Sequence, residues 1–87
     1  MSETDLVTLV QDFGWDSTYA GHKILIQFRN GEPYFIYYDW YANPILPPIG
    51  SVITLLYSGY GSSLDLHKLI NTGNGKEARI IRFAKAN

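Results

Sequence analysis

The reactive inventory of this chain is short: two histidines, eight carboxylates and no cysteine in 87 residues. His67 stands near Ser62, Ser63 and Asp65, the residue types of a nucleophile, a base and an orienting acid. Proximity in sequence is not a triad, and no G-x-S-x-G turn strains a serine into attack. A hydrolase or transferase built on His67 and these serines is therefore the third-ranked expectation, and no catalytic residue is assigned. His22 is expected to face Asp39 at the end of a strand ladder, a structural pairing. Two distant histidines without a third ligand make no metal site, and no cofactor is expected. The missing cysteines rule out thiolate chemistry, cysteine-ligated metals and a disulfide scaffold.

Two glycine-containing segments invite a phosphate-binding reading and fail it. Asn71 to Lys76 ends in Gly75-Lys76, but Ile70 occupies the place of the first loop glycine and Glu77 that of the hydroxyl residue. Gly59-Tyr60-Gly61-Ser62-Ser63-Leu64 lacks the third glycine of a dinucleotide loop. Both read as turns, by the chemistry of adjacent Asn, Ser and Gly residues.

Rings are the richer resource. Six of the eight residues from Tyr34 to Tyr41 are aromatic, and exposed rings on a sheet stack bases, sugars or proline-rich peptides. Core packing accounts for some of them. Tyr34, Tyr38, Trp40 and Tyr41, with Ile45 and Leu46 of the following Pro-rich segment, are the candidate binding residues. The C-terminal bases Lys76, Arg79, Arg82 and Lys85 are candidates for phosphate contacts.

The element that positions the rings is a hairpin, His22 to Asp39, in which two apolar runs flank Asn30-Gly31. A two-residue loop there pairs Arg29 with Glu32, Phe28 with Pro33, Ile26 with Phe35 and Ile24 with Tyr37. That register puts Phe35 and Tyr37 in the core and Tyr34 and Tyr38 on the opposite face. It also requires positive φ at both Asn30 and Gly31, and Pro33 marks a sheet edge.

Around the hairpin the elements are less uniform. Leu6, Leu9, Val10 and Phe13 follow helical spacing, Ser2 or Thr4 can cap, and Gly14 stands at the C-cap, so residues 4–13 read as a short helix. Three prolines impose an extended course after Asp39. Ser51 to Ser58 is apolar on both faces and reads as a central strand. Ser62 to Ile70 reads either as a short helix or as a strand alternating Leu64, Leu66 and Ile70. Lys76 to Ala84 closes the chain as a strand with Ile81 and Phe83 on one face and Ala78 and Ile80 on the other.

The expected fold is mainly β, a small twisted antiparallel sheet or half-open SH3- or OB-like barrel of four to five strands. It carries a short N-terminal helix and a second short helix is an option before the last strand. All 87 residues form one domain, with residues 1–4 flexible. At 46% hydrophobic and 15% aromatic residues, the composition fits a packed core without metal or disulfides. No run approaches the ~20 apolar residues of a membrane helix and the N-terminus lacks a basic leader, so a cytoplasmic location without membrane contact is expected.

Net charge is −1, but it is unevenly distributed. Residues 1–43 hold six acids against two bases, a balance of −4, and residues 44–87 hold two acids against five bases, a balance of +3. Folding is expected to average this difference away. The leading functional expectation is a non-enzymatic module that binds another protein, or a second copy of itself, through an aromatic sheet face or edge. The alternative is a single-stranded nucleic-acid binder, which gains support if the aromatic run and the C-terminal bases share one exposed patch.

Overall fold

A computed structural model of the chain describes residues 2–39, 47–59, 61–71 and 73–86. Six strands make up most of it: β1 (Ser2–Asp16), β2 (Gly21–Gln27), β3 (Pro33–Tyr38), β4 (Val52–Ser58), β5 (Asp65–Asn71) and β6 (Lys76–Lys85). A single 3₁₀ turn, Gly61–Ser63, precedes β5. Every neighbouring pair is antiparallel, and the order β1-β2-β3-β6-β5-β4 closes by pairing β4 with β1. The fold is thus a small antiparallel β-barrel. It is closed rather than half-open, and has six strands where four to five are expected.

The N-terminal segment is strand, not helix. Val7 and Leu9 alternate into the barrel, while Leu6, Val10 and Phe13, the other members of the helical spacing, are exposed. Two bulges create the false period: Val10 is the extra residue between the Leu9–Ile26 and Gln11–Leu25 pairs, and Phe13 the extra one between Asp12–Ile24 and Gly14–Lys23. Residues 2–4 also belong to β1, paired with Ser58, Tyr57 and Leu56.

The β2–β3 hairpin is present but one residue out of the expected register. Its loop has three residues: Gly31 N–H donates to the Phe28 carbonyl and Phe28 N–H to the Glu32 carbonyl, each at 2.9 Å. Gly31 alone is left-handed, at φ 93°, and Asn30 is not. This is a type I turn closed by a glycine bulge, to which Asn30 adds a side-chain acceptor for Glu32 N–H at 2.9 Å. Ile26 therefore faces Tyr34, Ile24 faces Ile36, and His22 faces Tyr38. A slip of one residue exchanges the faces, so Tyr34, Ile36 and Tyr38 point inward and Phe35 and Tyr37 outward. Pro33 opens β3 opposite Gln27, and its carbonyl accepts from Ala86 N–H, so it marks no edge. A Cβ at Gly31 would meet open space, hence Gly31→Val costs only its backbone strain. Chemical denaturation is expected to show a loss of about 1–2 kcal/mol, and an unchanged midpoint would contradict the turn geometry.

Two further bulges complete the shape. His67 is the extra residue in β5, which converts the inward step Leu66 to Leu69 into a spacing of three. Ile81 is the extra residue in β6, so Ala78, Ile80 and Phe83 all face inward. The strand reading of residues 62–70 is the one that holds, with helix confined to the 3₁₀ turn. The β5–β6 connection is a turn as expected, with Gly75 N–H donating to the Asn71 carbonyl at 2.8 Å.

Candidate functional site

The outer wall of β2, β3 and β6 carries a layer of rings and cations. The bulge at Phe13 throws its ring against Phe35, with centroids 5.8 Å apart in an edge-to-face contact. Between β1 and β2 the Asp16 carboxylate accepts from the N–H groups of Thr18 and Tyr19, at 2.8 and 3.2 Å, and Ala20 turns left-handed. That turn folds Tyr19 back over Tyr37, edge to face at 4.9 Å. Gly21 lets the layers approach, since a Cβ there would stand 2.8 Å from Ile81 Cδ1 and 3.3 Å from Tyr37 Cβ. Lys23 Nζ lies 4.5 Å from the Phe35 ring centre and 5.0 Å from that of Phe13. The Arg82 guanidinium lies 4.2 Å from that of Tyr19. Such contacts hold long cationic side chains flat against a wall where they would otherwise be mobile.

Around the barrel from this layer, the wall of β1 and β4 is apolar. Leu6 and Val10 on β1, Val52 on β4 and Ile49 just before it are 38–55% exposed. Backbone bonds hold the last segment beside β1: Gly50 N–H donates to the Leu9 carbonyl, and Leu9 N–H to that of Ser51. The acids of β1 fall mainly at its two ends. Asp5 pairs with Arg29 at 3.2 Å, and Asp12 Oδ1 lies 2.5 Å from His22 Nε2.

The barrel mouths differ. One holds a cleft of about 460 Å³ lined by Phe28, Tyr34, Tyr57 and Leu64, with Lys85 and Glu32 paired at 2.9 Å on its rim. Hydrogen bonds from Lys85 and Asn30 hold the Glu32 carboxyl below its usual range, and the bond to Glu32 raises the Lys85 ammonium. At the other mouth the Tyr38 ring stacks on His22 at 5.0 Å, and its buried hydroxyl has no hydrogen-bond partner among the described residues. Burial, helped by the nearby Asp12 charge, pushes that phenol well above its ordinary pKa.

Several expected site residues fall elsewhere. Tyr38 is fully buried and belongs to the core, the reverse of the expected exposed ring, because the three-residue loop moved it to the inner face. Tyr34 is half-buried, packed edge to face on Phe28 at 5.3 Å in the first mouth. Trp40, Tyr41, Ile45 and Leu46 lie outside the described residues. Of the C-terminal bases, Arg79 and Arg82 lie on the outer wall, whereas Lys76 and Lys85 end β6 at opposite mouths. Phe35, expected in the core, lies half-buried on the outer wall, whereas Tyr37 is buried as expected but on the outer side of the sheet, under Tyr19 and beside Arg82. His22 pairs with Asp12, not Asp39. His67 Nε2 meets Ser58 Oγ at 2.8 Å, not Ser62 or Ser63. Its Nδ1 lies 3.8 Å from the exposed Asp65 carboxylate, beyond hydrogen-bond reach, so this acid does not orient the ring.

Leu6, Val10, Phe13, Tyr19 and Lys23 escaped sequence reasoning as surface residues. For Leu6 and Val10 a signal is present, since strand alternation through Leu6-Val7-Thr8-Leu9-Val10 leaves them opposite Val7 and Leu9. No helix among the described residues is long and apolar enough to cross a membrane, and no three potential ligands cluster there as a metal site. Fold and surface together define a small closed antiparallel barrel with one apolar and one aromatic-cationic wall. Comparison with family models, curated proteins and solved structures finds no match for the chain.

Proposed function

We propose that this barrel is a non-enzymatic protein-binding module that docks another protein on the outer wall of β1 and β4. The observation that carries the reading is the row Leu6, Val10, Ile49 and Val52, large aliphatic side chains left half in water on adjacent strands. A core that already holds Val7, Leu9, Ile53 and Leu55 on the inner side of the same two strands has no use for them. Because the described sheet closes on itself, the partner meets a face and not a free strand edge. Its complementary surface is apolar at the centre, with bases suited to the acids near the ends of β1. The absence of cysteine suits a reducing compartment such as the cytoplasm.

Placing a photo-crosslinking benzoylphenylalanine at position 52, in the cells that make the protein, tests this. Discrete adducts to another protein are expected, and Leu6→Glu should abolish them while changing stability by no more than about 0.5 kcal/mol. Adducts of twice the chain mass would turn the reading to self-association. Equal yield from a probe at position 77, on the far side of the barrel, would overturn it.

A further inference from the structure

We infer that the ring–cation wall of β2, β3 and β6 binds single-stranded nucleic acid. Three observations converge on it. First, rings and bases share one surface: Phe13, Tyr19 and the half-buried Phe35, with Lys23 on β2 and Arg82 on β6, while the buried Tyr37 serves only as the seat of Tyr19. Second, the charge of this wall is positive although the chain as a whole is slightly negative. The outward residues of the three strands include Lys23, Arg79 and Arg82, and their acid, Glu77, is paired with Lys68 at 2.9 Å. In the strand order β6 stands three places from β1 either way round, so the acid-rich strand and the base-rich strand occupy opposite sides of the barrel. The acids of β1 and the bases of β6 are therefore kept apart, although Glu32 and Lys85 pair across the two halves of the chain.

Third, the rings are usable. Tyr19 is 41% exposed and Phe13 43%, and the Arg82 guanidinium lies 4.2 Å from the Tyr19 ring centre, so a cation stands beside an open ring. Stacking between rings and guanidinium planes, with cations at phosphate spacing beside them, is how proteins hold unpaired bases without reading their sequence. The described elements offer no α-helix to enter a major groove, and a flat wall cannot reach base edges inside a duplex. The ligand is a strand whose bases are already free.

Fluorescence anisotropy on the intact chain, with a labelled 15-nucleotide oligo-dT or oligo-U at about 50 mM salt, tests the inference. Saturable binding is expected, with log affinity falling against log salt at a slope of about −2, as for three phosphates at roughly 0.7 each. Tyr19→Ala should weaken binding about tenfold at an unchanged slope. Arg82→Gln should weaken it and reduce the slope by about 0.7. Absence of saturable binding to either strand overturns the proposal. So does a matching duplex that binds as tightly, or a Tyr19→Ala variant that binds like the parent, since bare polyanion attraction then suffices. Leu6→Glu, which disables the protein-docking wall, is expected to bind the strands normally, so the two surfaces fail independently.

Discussion

Gly59→Ala is expected to destabilise the barrel by about 2–4 kcal/mol, measured as the shift in urea-unfolding free energy. Gly59 links β4 to the 3₁₀ turn, at φ 71°, and a Cβ there would lie 2.2 Å from the Ser63 carbonyl oxygen and 2.9 Å from its carbon. Neither atom is the free end of a side chain. The turn would have to move by about an ångström, taking with it Leu64, which packs on the core. Left-handed strain for a residue with a Cβ adds about 1 kcal/mol. Gly31 isolates that second cost, because its φ is 93° and nothing stands within 4 Å of its Cβ position. For a domain whose total stability is on the order of 4–13 kcal/mol, the Gly59 variant is at the edge of folding. A loss below about 1 kcal/mol would mean that the link yields freely.

Tyr38 separates packing from recognition through two substitutions with opposite outcomes. Tyr38→Ala empties the centre of one barrel mouth, removes the stack on His22, and is expected to cost about 3–5 kcal/mol. Tyr38→Phe keeps the ring and deletes a buried hydroxyl that has no partner among the described residues, so stability is expected to hold or to rise by about 1 kcal/mol. Thermal and urea unfolding of both variants check the pair. A phenylalanine variant that loses more than about 1 kcal/mol would show that the hydroxyl finds a partner in solution. An alanine variant that unfolds like the parent would return Tyr38 to the surface.

Much of the barrel was legible because apolar alternation and turn chemistry are strong local signals. The hairpin at Asn30-Gly31, the central strand Val52–Ser58, the turn at Asn71–Gly75 and the closing strand all stand where residue types place them. Face assignments failed wherever the count of residues between pairs was odd. One extra loop residue exchanged the faces of β3, which put Tyr38 in the core and Phe35 on the wall. Val10 and Phe13, as bulges, gave a strand the spacing of a helix, and Ile81 did the same to the parity of β6. Bulges leave no composition of their own, so a period of two read along one chain cannot find them. The Lys23 and Tyr19 contacts were hidden for another reason: they depend on which strands meet across the barrel, and pairing partners are not written in either segment alone.

The strand order also divides the barrel into two three-stranded meanders, β1-β2-β3 and β4-β5-β6, joined along two seams, β1 with β4 and β3 with β6. Each contributes equally to the described core. Val7, Leu9, Ile24, Ile26, Ile36 and Tyr38 come from the first; Ile53, Leu55, Leu66, Leu69, Ala78 and Ile80 come from the second. Neither meander can shield its inner face without the other, so lifting one away wets all twelve residues at once. Partial opening is then about as costly as complete unfolding, and the slowest amide protons of both halves share a single exchange free energy. The seams join strands far apart in sequence, which makes their zipping the late step of folding, after two local meanders have formed and before either is stable alone.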